Sequence, residues 1–272
     1  GDFGVSGDLV RHYLEQEDWD ADISKFGIDI WMTTKAISGG FAVCQTRLGA
    51  KVHDPKDPGA DLGPMFSQVV ATLLRLTEEH AERWLGVTTS HEVPAYGFER
   101  LLDPPPLEVD SKRLLEEFAK GGLNVGEEWE AALAPENLAI VHRLAEDAGA
   151  AVEAAMRADL PSPVAESAFT FPDEIWARVV YDVVVAYHER RLPLDRLVTA
   201  LIPLYFGRVA SLIFETRELT TDQAEASVER QARAFELSKP YLVARWTSTE
   251  GAAGAGAAGA DADGVAAAGT AR

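Results

Sequence analysis

Apolar residues along most of this chain follow the repeat of an amphipathic helix rather than the alternation of a strand. From residue 111 onward almost the whole sequence has this character, and the clearest predicted helices span residues 174–191, 194–218 and 221–246. The last of them begins at Thr221 and Asp222, a typical helix start, because a Thr side chain caps free backbone N–H groups and an acid favours the first turn. Pro203 lies inside one predicted helix and predicts a kink.

The first part of the chain mixes helix and strand signals. Ser6 is a good cap for a helix that ends near Glu17, with Asp8 favourable in its first turn. Residues 29–38 predict a short helix, which the pair Gly39 and Gly40 ends.

A strand is predicted next. Residues 41–52 are rich in Phe, Val, Thr and Cys, residues that favour strands. Pro64 then stands near the start of a long amphipathic helix that reaches about Trp84. Helix, strand and helix in this order are typical of an α/β unit.

Composition divides the chain into segments. Residues 91–110 are rich in proline and predict a linker between a first domain, residues 1–90, and a helical domain, residues 111–246. Residues 247–272 are mostly Ala and Gly. This tail has too little bulky apolar surface to offset its ordering entropy, so we expect it to be disordered.

Charge and cysteine content limit the classes of function. The net charge is −19, with 44 acidic against 25 basic residues, which argues against non-specific binding to nucleic acid or anionic membrane. Cys44 is the single cysteine and stands in an apolar run, so we expect a buried, reduced thiol and a cytoplasmic protein. No apolar run approaches the roughly 20 residues of a membrane helix, so no membrane span is expected.

Asp29 is the first candidate for chemistry and has two interpretations. It is an acidic residue at a helix start, which the helix dipole alone would favour. It is also a carboxylate that can accept hydrogen bonds from sugar hydroxyls, and a charged acceptor makes stronger bonds to them than a neutral one.

His53 follows the predicted strand and is the candidate metal ligand. Such a histidine is often structural, but Asp54, Lys56 and Asp57 come directly after it. An imidazole beside oxygen ligands suits Mg²⁺ or Mn²⁺ in a diphosphate site. The usual partner would be an Asp-x-Asp motif after a buried strand, and neither residues 20–22 nor residues 261–263 have that setting.

Basic residues flank His53. Lys51 lies two residues before it, on the same face of the predicted strand, and Lys56 follows it in the loop. Both are candidates to neutralise a diphosphate or an acidic acceptor. The alternative for Lys51 is a solvated lysine at the strand edge.

Polar residues also occur among the apolar residues of the predicted helices. They include Arg178, Asp182, His188, Arg208 and Glu215. Buried polar groups must be paired, so we interpret these residues mainly as structural networks between helices.

These motifs occur in an order that resembles the retaining GT-A glycosyltransferases that make glucosylglycerate, mannosylglycerate and glucosyl-3-phosphoglycerate. The similarity is greatest to the glucosylglycerate synthases and covers roughly residues 1–246. The runs that carry it are Gly1-Asp2-Phe3, Phe26-Gly-Ile-Asp29, Leu48-Gly-Ala-Lys-Val-His53, Phe171-Pro-Asp-Glu-Ile-Trp176, Val179-Val-Tyr-Asp182, Pro203-Leu-Tyr-Phe-Gly-Arg208 and Lys239-Pro-Tyr-Leu-Val-Ala-Arg-Trp246.

The resemblance implies an α/β fold in which residues 1–90 form the C-terminal half of a GT-A, Rossmann-like domain ahead of the helical domain. It implies that Asp29 contacts the transferred sugar, that His53 completes the shell of Mg²⁺ or Mn²⁺, and that Gly1, Asp2 and Phe3 lie beside the anomeric carbon. The nucleotide-binding half of that family, with its Asp-x-Asp, has no counterpart in this sequence. We therefore expect a site built from this chain alone to be incomplete.

The implied activity is retaining transfer of a hexose, most simply glucose, from a nucleoside diphosphate sugar to D-glycerate or a related small acceptor, as in compatible-solute synthesis. Two alternatives stay open. One is a non-catalytic helical interaction or regulatory module derived from this fold. The other is an unrelated, all-helical binding protein, which predicts no strand in residues 41–52. Self-association as a homo-oligomer is a further expectation for any of them.

Overall fold

The computed structural model describes residues 2–48, 63–97, 109–157 and 169–260, with residues 249–260 described by their backbone alone. Of the described residues, 74% are helical, and these residues include only two short parallel strands. The predicted α/β, Rossmann-like fold was therefore wrong, and the described residues form a mainly helical protein. Local strand propensity in residues 41–44 did not produce a strand, because a sheet needs neighbouring strands to satisfy its backbone N–H and C=O groups.

The elements follow one another in this order along the chain: α1 Gly7–Leu14, a π turn Ile23–Gly27, α2 Ile28–Ser38, β1 Gln45–Arg47, α3 Gly63–Glu79, α4 Ala81–Leu85, β2 Ala95–Gly97, α5 Ser111–Asn124, α6 Gly126–Ala132, α7 Pro135–Arg157, α8 Asp173–His188, α9 Leu194–Thr216 and α10 Thr221–Ala260.

Helix ends agree with the sequence where a cap is local. The Ser6 hydroxyl accepts a hydrogen bond from the backbone N–H of Leu9 at 3.2 Å and starts α1 as predicted. Gly39 ends α2, and Gly40 follows with φ +75°, a backbone angle that favours glycine. The helix predicted to reach Trp84 instead breaks at His80, whose backbone is not helical.

The sheet is smaller than predicted. Of residues 41–52, only β1 is a strand; residues 41–44 have no regular structure, and residues 49–52 lie outside the described part of the chain. β1 pairs in parallel with β2, with Gln45 opposite Ala95 and Arg47 opposite Gly97. β2 lies within the predicted linker, so sequence reasoning missed it. All the residues of both strands are exposed.

Cys44 directly precedes β1 and is exposed, so the predicted buried thiol was wrong. The apolar run that suggested burial leads into a strand whose residues are all exposed among the described residues.

Two hydrophobic clusters hold the described residues together. The larger one joins α5 to α10 and includes Trp129, Phe118 and Phe171, none of them with exposed surface. The smaller one is formed by Tyr13, Ile23, Trp31 and Leu76. Helix α3 contributes to both, because Leu74 faces the larger cluster and Leu76 faces the smaller. Its side chains therefore connect the N-terminal helices to the helical body.

The C-terminal helix α10 extends beyond its predicted end at Trp246, because the backbone is helical as far as Ala260. The remainder of the predicted tail, residues 261–272, lies outside the described residues.

One helix among the described residues, α9, is long and apolar enough to cross a membrane by length and composition alone. About half of its most apolar window, 56%, is buried against the rest of the protein. The core helix of a soluble protein has the same properties, so this finding is weak evidence, and the absence of a membrane span stays a prediction.

Candidate functional site

The chain around Asp29 is shaped by the π turn that precedes α2. The carboxylate of Asp20 accepts hydrogen bonds from the backbone N–H groups of Asp22 and Ile23, at 2.9 and 2.8 Å, and so starts this turn. Gly27 closes it. A Cβ at this position would collide with the Thr72 hydroxyl of α3, so only glycine lets the turn lie this close to α3. Lys25 within it has non-helical backbone angles, φ −123° and ψ −116°, so the chain bends here before α2 begins.

Asp29 then lies in the first turn of α2, with its side chain exposed to solvent. This agrees with both of its interpretations, because the dipole favours an acid here and a ligand can reach the carboxylate. Asp2 and Phe3 are also exposed. Gly1, Lys51, His53 and Lys56 lie outside the described residues, so the structure does not show whether they approach Asp29.

The described residues contain no group of three or more His, Cys, Asp or Glu side chains that could hold a metal ion. The two carboxylates of residues 20–22 are explained otherwise. Arg75 of α3 binds Asp20 at 2.9 Å and Asp22 at 2.8 Å. This part of the chain does not fit Mg²⁺ or Mn²⁺, and the metal prediction rests on His53 alone.

A buried lysine, Lys35, joins α2 to α3 near the smaller hydrophobic cluster. Lys35 is 3% exposed, and its ammonium lies 2.5 Å from the Glu79 carboxylate and 3.0 Å from that of Asp18. Burial by itself lowers the pKa of Lys35, but the hydrogen bonds and charges of Glu79 and Asp18 outweigh burial and raise it above its ordinary value. The sequence did not reveal this group, because Glu79 is 44 residues away.

A groove of about 340 Å³ opens between α2, α3, α4 and α10. Its walls are mainly apolar and include Ile37, Leu73 and Val87, which are 47%, 37% and 45% exposed. The indole of Trp84 completes the wall and donates its N–H to the backbone oxygen of Thr77 at 2.8 Å. Three large apolar side chains that are each exposed thus converge on one concave surface.

Three basic side chains among the described residues line the same groove: His80, Arg83 and Lys239. Arg83 donates to the backbone oxygen of Ser38 at 3.2 Å. Lys239 donates to the backbone oxygens of Trp84 and Val87 and lies over the Trp84 ring at 5.7 Å. Burial lowers the pKa of Lys239. Burial also lowers the pKa of His80, so its imidazole is neutral at pH 7.

The polar residues of the helical body form structural networks, as predicted. The Asp182 carboxylate has no exposed surface and accepts hydrogen bonds from the backbone of Ala134 and the side chains of Asn137 and Tyr241. Tyr181 donates its hydroxyl to a backbone oxygen, and burial raises its pKa to about 12.

A second network lies around Arg208, which is 3% exposed. Its guanidinium binds Asp173 at 2.5 Å, Glu215 at 2.8 Å and Gln231 at 2.9 Å. These partners come from α8, α9 and α10, so the cation joins three helices. The charges are satisfied within the protein, which is the arrangement of a structural network rather than of a binding site.

Comparison of the chain with known protein families, curated proteins and solved structures found no match.

Proposed function

We propose that the chain forms part of a retaining hexosyltransferase that moves a hexose, most simply glucose, from a nucleoside diphosphate sugar to D-glycerate or a related small acceptor. The order of the motifs from Gly1 to Trp246 supports this proposal, because it is the order in which the resembling glycosyltransferases carry them. Cytoplasmic synthesis of a compatible solute is the setting that this activity would have.

The parallel register of β1 and β2 is the geometric observation that carries the proposal. Parallel strands have their carboxyl ends at the same edge, and ligands of sheets with parallel strands bind beyond that edge. Segment 49–62, which contains Lys51, His53 and Lys56, begins just after β1, and segment 98–108 begins just after β2. The carboxyl ends of both strands therefore lie at one edge of the sheet, which favours a site at that edge.

The exposure of this sheet is a second argument. Two short strands are marginal on their own in water, and parallel sheets are normally covered on both faces. Here every residue of both strands is exposed among the described residues. A strand pair of this kind is stabilised when other residues cover it. This agrees with a site that the described residues form only in part.

We assign roles to the candidate residues within this proposal. Asp29 would accept hydrogen bonds from the hydroxyls of the transferred sugar, and Asp2 and Phe3 would lie beside the reacting carbon. Lys51 and Lys56 would neutralise the diphosphate or the carboxylate of the acceptor. His53 would be this chain's ligand for Mg²⁺ or Mn²⁺, although the described residues by themselves do not fit either ion.

Replacing Asp29 by Asn tests the sugar contact. Loss of a charge-assisted hydrogen bond costs about 1.5–3 kcal/mol, so turnover should fall by at least about tenfold. The helix-dipole contribution lost is only about 0.3–1 kcal/mol, so the melting temperature should change little. The assay measures hexose transfer from nucleoside diphosphate glucoses to D-glycerate with Mg²⁺ and Mn²⁺, on this chain and on the product of its complete reading frame.

Asp8→Asn is the matched control. Asp8 is also an exposed aspartate in the first turn of a helix, so its loss removes a similar dipole contribution without touching the proposed site. Its variant should keep wild-type turnover. If Asp29→Asn lowers the melting temperature strongly while the folded enzyme keeps full turnover, Asp29 is structural and the sugar contact is wrong.

The mainly helical architecture favours one other candidate, a non-catalytic helical interaction or regulatory module. The larger core lies almost entirely within α5 to α10, apart from residues such as Ala71 and Leu74 of α3. This candidate predicts no transfer in the donor and acceptor screen with either metal, for the chain and for the complete reading frame alike.

A further inference from the structure

We infer that the groove between α2, α3, α4 and α10 binds a small organic anion with an apolar body. The inference does not depend on the proposed sugar transfer. The groove is lined by the second half of α2, beginning at Thr34, whereas Asp29 lies in the first turn of that helix. Ser38 is nine residues beyond Asp29, which corresponds to about 13 Å along a helix axis.

The size and lining of the groove suit a small molecule. Its volume of about 340 Å³ lies within the range of ligand pockets, roughly 300–1,000 Å³. Exposed side chains of Ile37, Leu73 and Val87 face it together with Trp84. Apolar surface that converges in a concavity gains free energy when a ligand removes it from water. The body of the ligand is therefore apolar, and an aromatic ring can stack against the indole.

The charge of the groove selects an anion. Arg83 and Lys239 line it, and among the described residues no carboxylate lines it. Both cations are held by backbone oxygens, those of Ser38, Trp84 and Val87, and neither forms an ion pair with a carboxylate among the described residues. In a chain with 44 acidic and 25 basic residues, two such cations beside one apolar groove are unusual. A carboxylate or phosphate head would be the missing counter-charge.

The neighbouring acid does not neutralise them. Glu79 precedes His80, but its carboxylate is 2.5 Å from the buried ammonium of Lys35. The His80 Nε2 atom is buried without a hydrogen-bond partner, although Glu79 lies 3.7 Å from it.

Phenylacetate is the probe that matches this description, and phenylacetamide is its neutral counterpart with the same ring. The full chain labelled with ¹⁵N is titrated with each, and the indole N–H signal of Trp84, assigned by its loss in Trp84→Phe, is followed. We expect a saturable shift with phenylacetate and a dissociation constant on the order of 1 mM, as for a good ligand of this size. Phenylacetamide should bind at least about tenfold more weakly.

Phenyl phosphate separates the two anionic heads. Stronger binding of phenyl phosphate identifies a phosphate ligand, and stronger binding of phenylacetate identifies a carboxylate; either result supports the inference. The variants Arg83→Met and Lys239→Met should each weaken the preferred anion by about tenfold. Lys120→Met is the matched control, because Lys120 is an exposed lysine of α5 paired with Glu116 and Glu117.

Lys239 also holds the end of α4, so Lys239→Met can disturb the groove itself. The comparison of phenylacetate with phenylacetamide on the wild-type chain needs no variant and decides the matter. Equal affinity of the two probes, or no saturable shift with any of the three, overturns the inference. The same holds if Arg83→Met and Lys120→Met both bind the anion as tightly as the wild-type chain does.

Discussion

Asp182 is a carboxylate of α8 without exposed surface, and its partners come from α7, α10 and the connection before α7. It accepts hydrogen bonds from the Ala134 backbone at 2.9 Å, Asn137 at 2.7 Å and Tyr241 at 2.5 Å, and the Arg245 guanidinium lies 3.5 Å away. The pKa of Tyr241 is raised mainly by burial. The hydrogen bond that the Tyr241 hydroxyl donates to Asp182 raises it further. The carboxylate therefore joins the start of α7 to α8 and α10.

Asp182→Asn should destabilise the protein by about 2–4 kcal/mol. The amide NH₂ of Asn is a hydrogen-bond donor, so it would face the donors that now bind the carboxylate and leave them unpaired in the interior. The free energy of unfolding is measured in urea. Glu153→Gln is the control, since Glu153 is exposed and, among the described residues, pairs with Arg157 one turn away; its change should stay below about 0.5 kcal/mol. A loss below about 1 kcal/mol in Asp182→Asn would contradict the assigned role.

At the level of single residues, the sequence predicted which polar side chains are paired inside the protein, but not which residues they pair with. Asp182 and Arg208 were predicted to be structural because polar groups among apolar neighbours must be paired, and both are paired. Arg178 bonds Glu174 one turn away, as their spacing allows. Asn137 and Tyr241 are 45 and 59 residues from Asp182, and no local pattern links them to it.

At the level of elements, α5 and α9 pack closely because two glycines remove the side chains between them. A Cβ on Gly121 of α5 would lie 2.6 Å from the Trp129 ring and 2.8 Å from the Cβ of Pro203. On Gly207 of α9 it would lie 2.8 Å from the Phe118 ring. Real Cβ atoms do not approach other atoms this closely, so larger residues would force the helices apart.

Gly121→Ala should therefore destabilise the protein by about 1–3 kcal/mol through overpacking. Gly122 is the adjacent control. A Cβ there would lie 3.6 Å from its nearest neighbour, an ordinary contact, so Gly122→Ala should stabilise by about 0.5–1 kcal/mol through helix propensity alone. Chemical denaturation of both variants checks the opposite signs. Two variants that shift stability in the same direction would refute the close-packing argument.

The elements also show where pattern reasoning failed. β2 lies in a proline-rich segment that has no strand signal, and β1 is only the Gln45–Arg47 part of the predicted strand. Gly97 has φ +97°, and a Cβ there would approach the Arg47 oxygen to 2.6 Å. This pairing depends on a glycine that the sequence offers no reason to single out.

At the level of the whole molecule, the two clusters should respond differently to pH. Asp18 accepts bonds from Trp31 and Lys35; burial raises its pKa, but these bonds outweigh burial and hold the pKa below its ordinary value. Its contribution to stability is thus present above the unfolded pKa of about 3.9 and is lost as pH falls through the folded pKa. The pKa of Lys35 is raised, so its contribution is present below about pH 10.4 and is lost as pH rises through the folded pKa.

We therefore expect the smaller cluster to loosen both in acid and in alkali, while the larger cluster stays intact. Protein labelled with 5-fluorotryptophan gives separate ¹⁹F signals for Trp31 and Trp129, which represent the two clusters. The Trp31 signal should change first in each direction. In Lys35→Met the alkaline change should disappear, because no ammonium remains to titrate. Simultaneous transitions of both signals would show that the clusters unfold as one unit.

The sequence by itself determined the helical segments, the cap at Ser6, the stop at Gly39 and Gly40 and the need to pair polar residues inside the body. These follow from periodicity and from bonds between residues a few positions apart, which any window of the chain contains. Only the tertiary structure decided that the α/β prediction fails, that Cys44 is exposed and that Arg83 and Lys239 line one groove. Lys239 reaches backbone oxygens 152 and 155 residues away, and contacts at such separations depend on how whole helices pack, which no local pattern encodes.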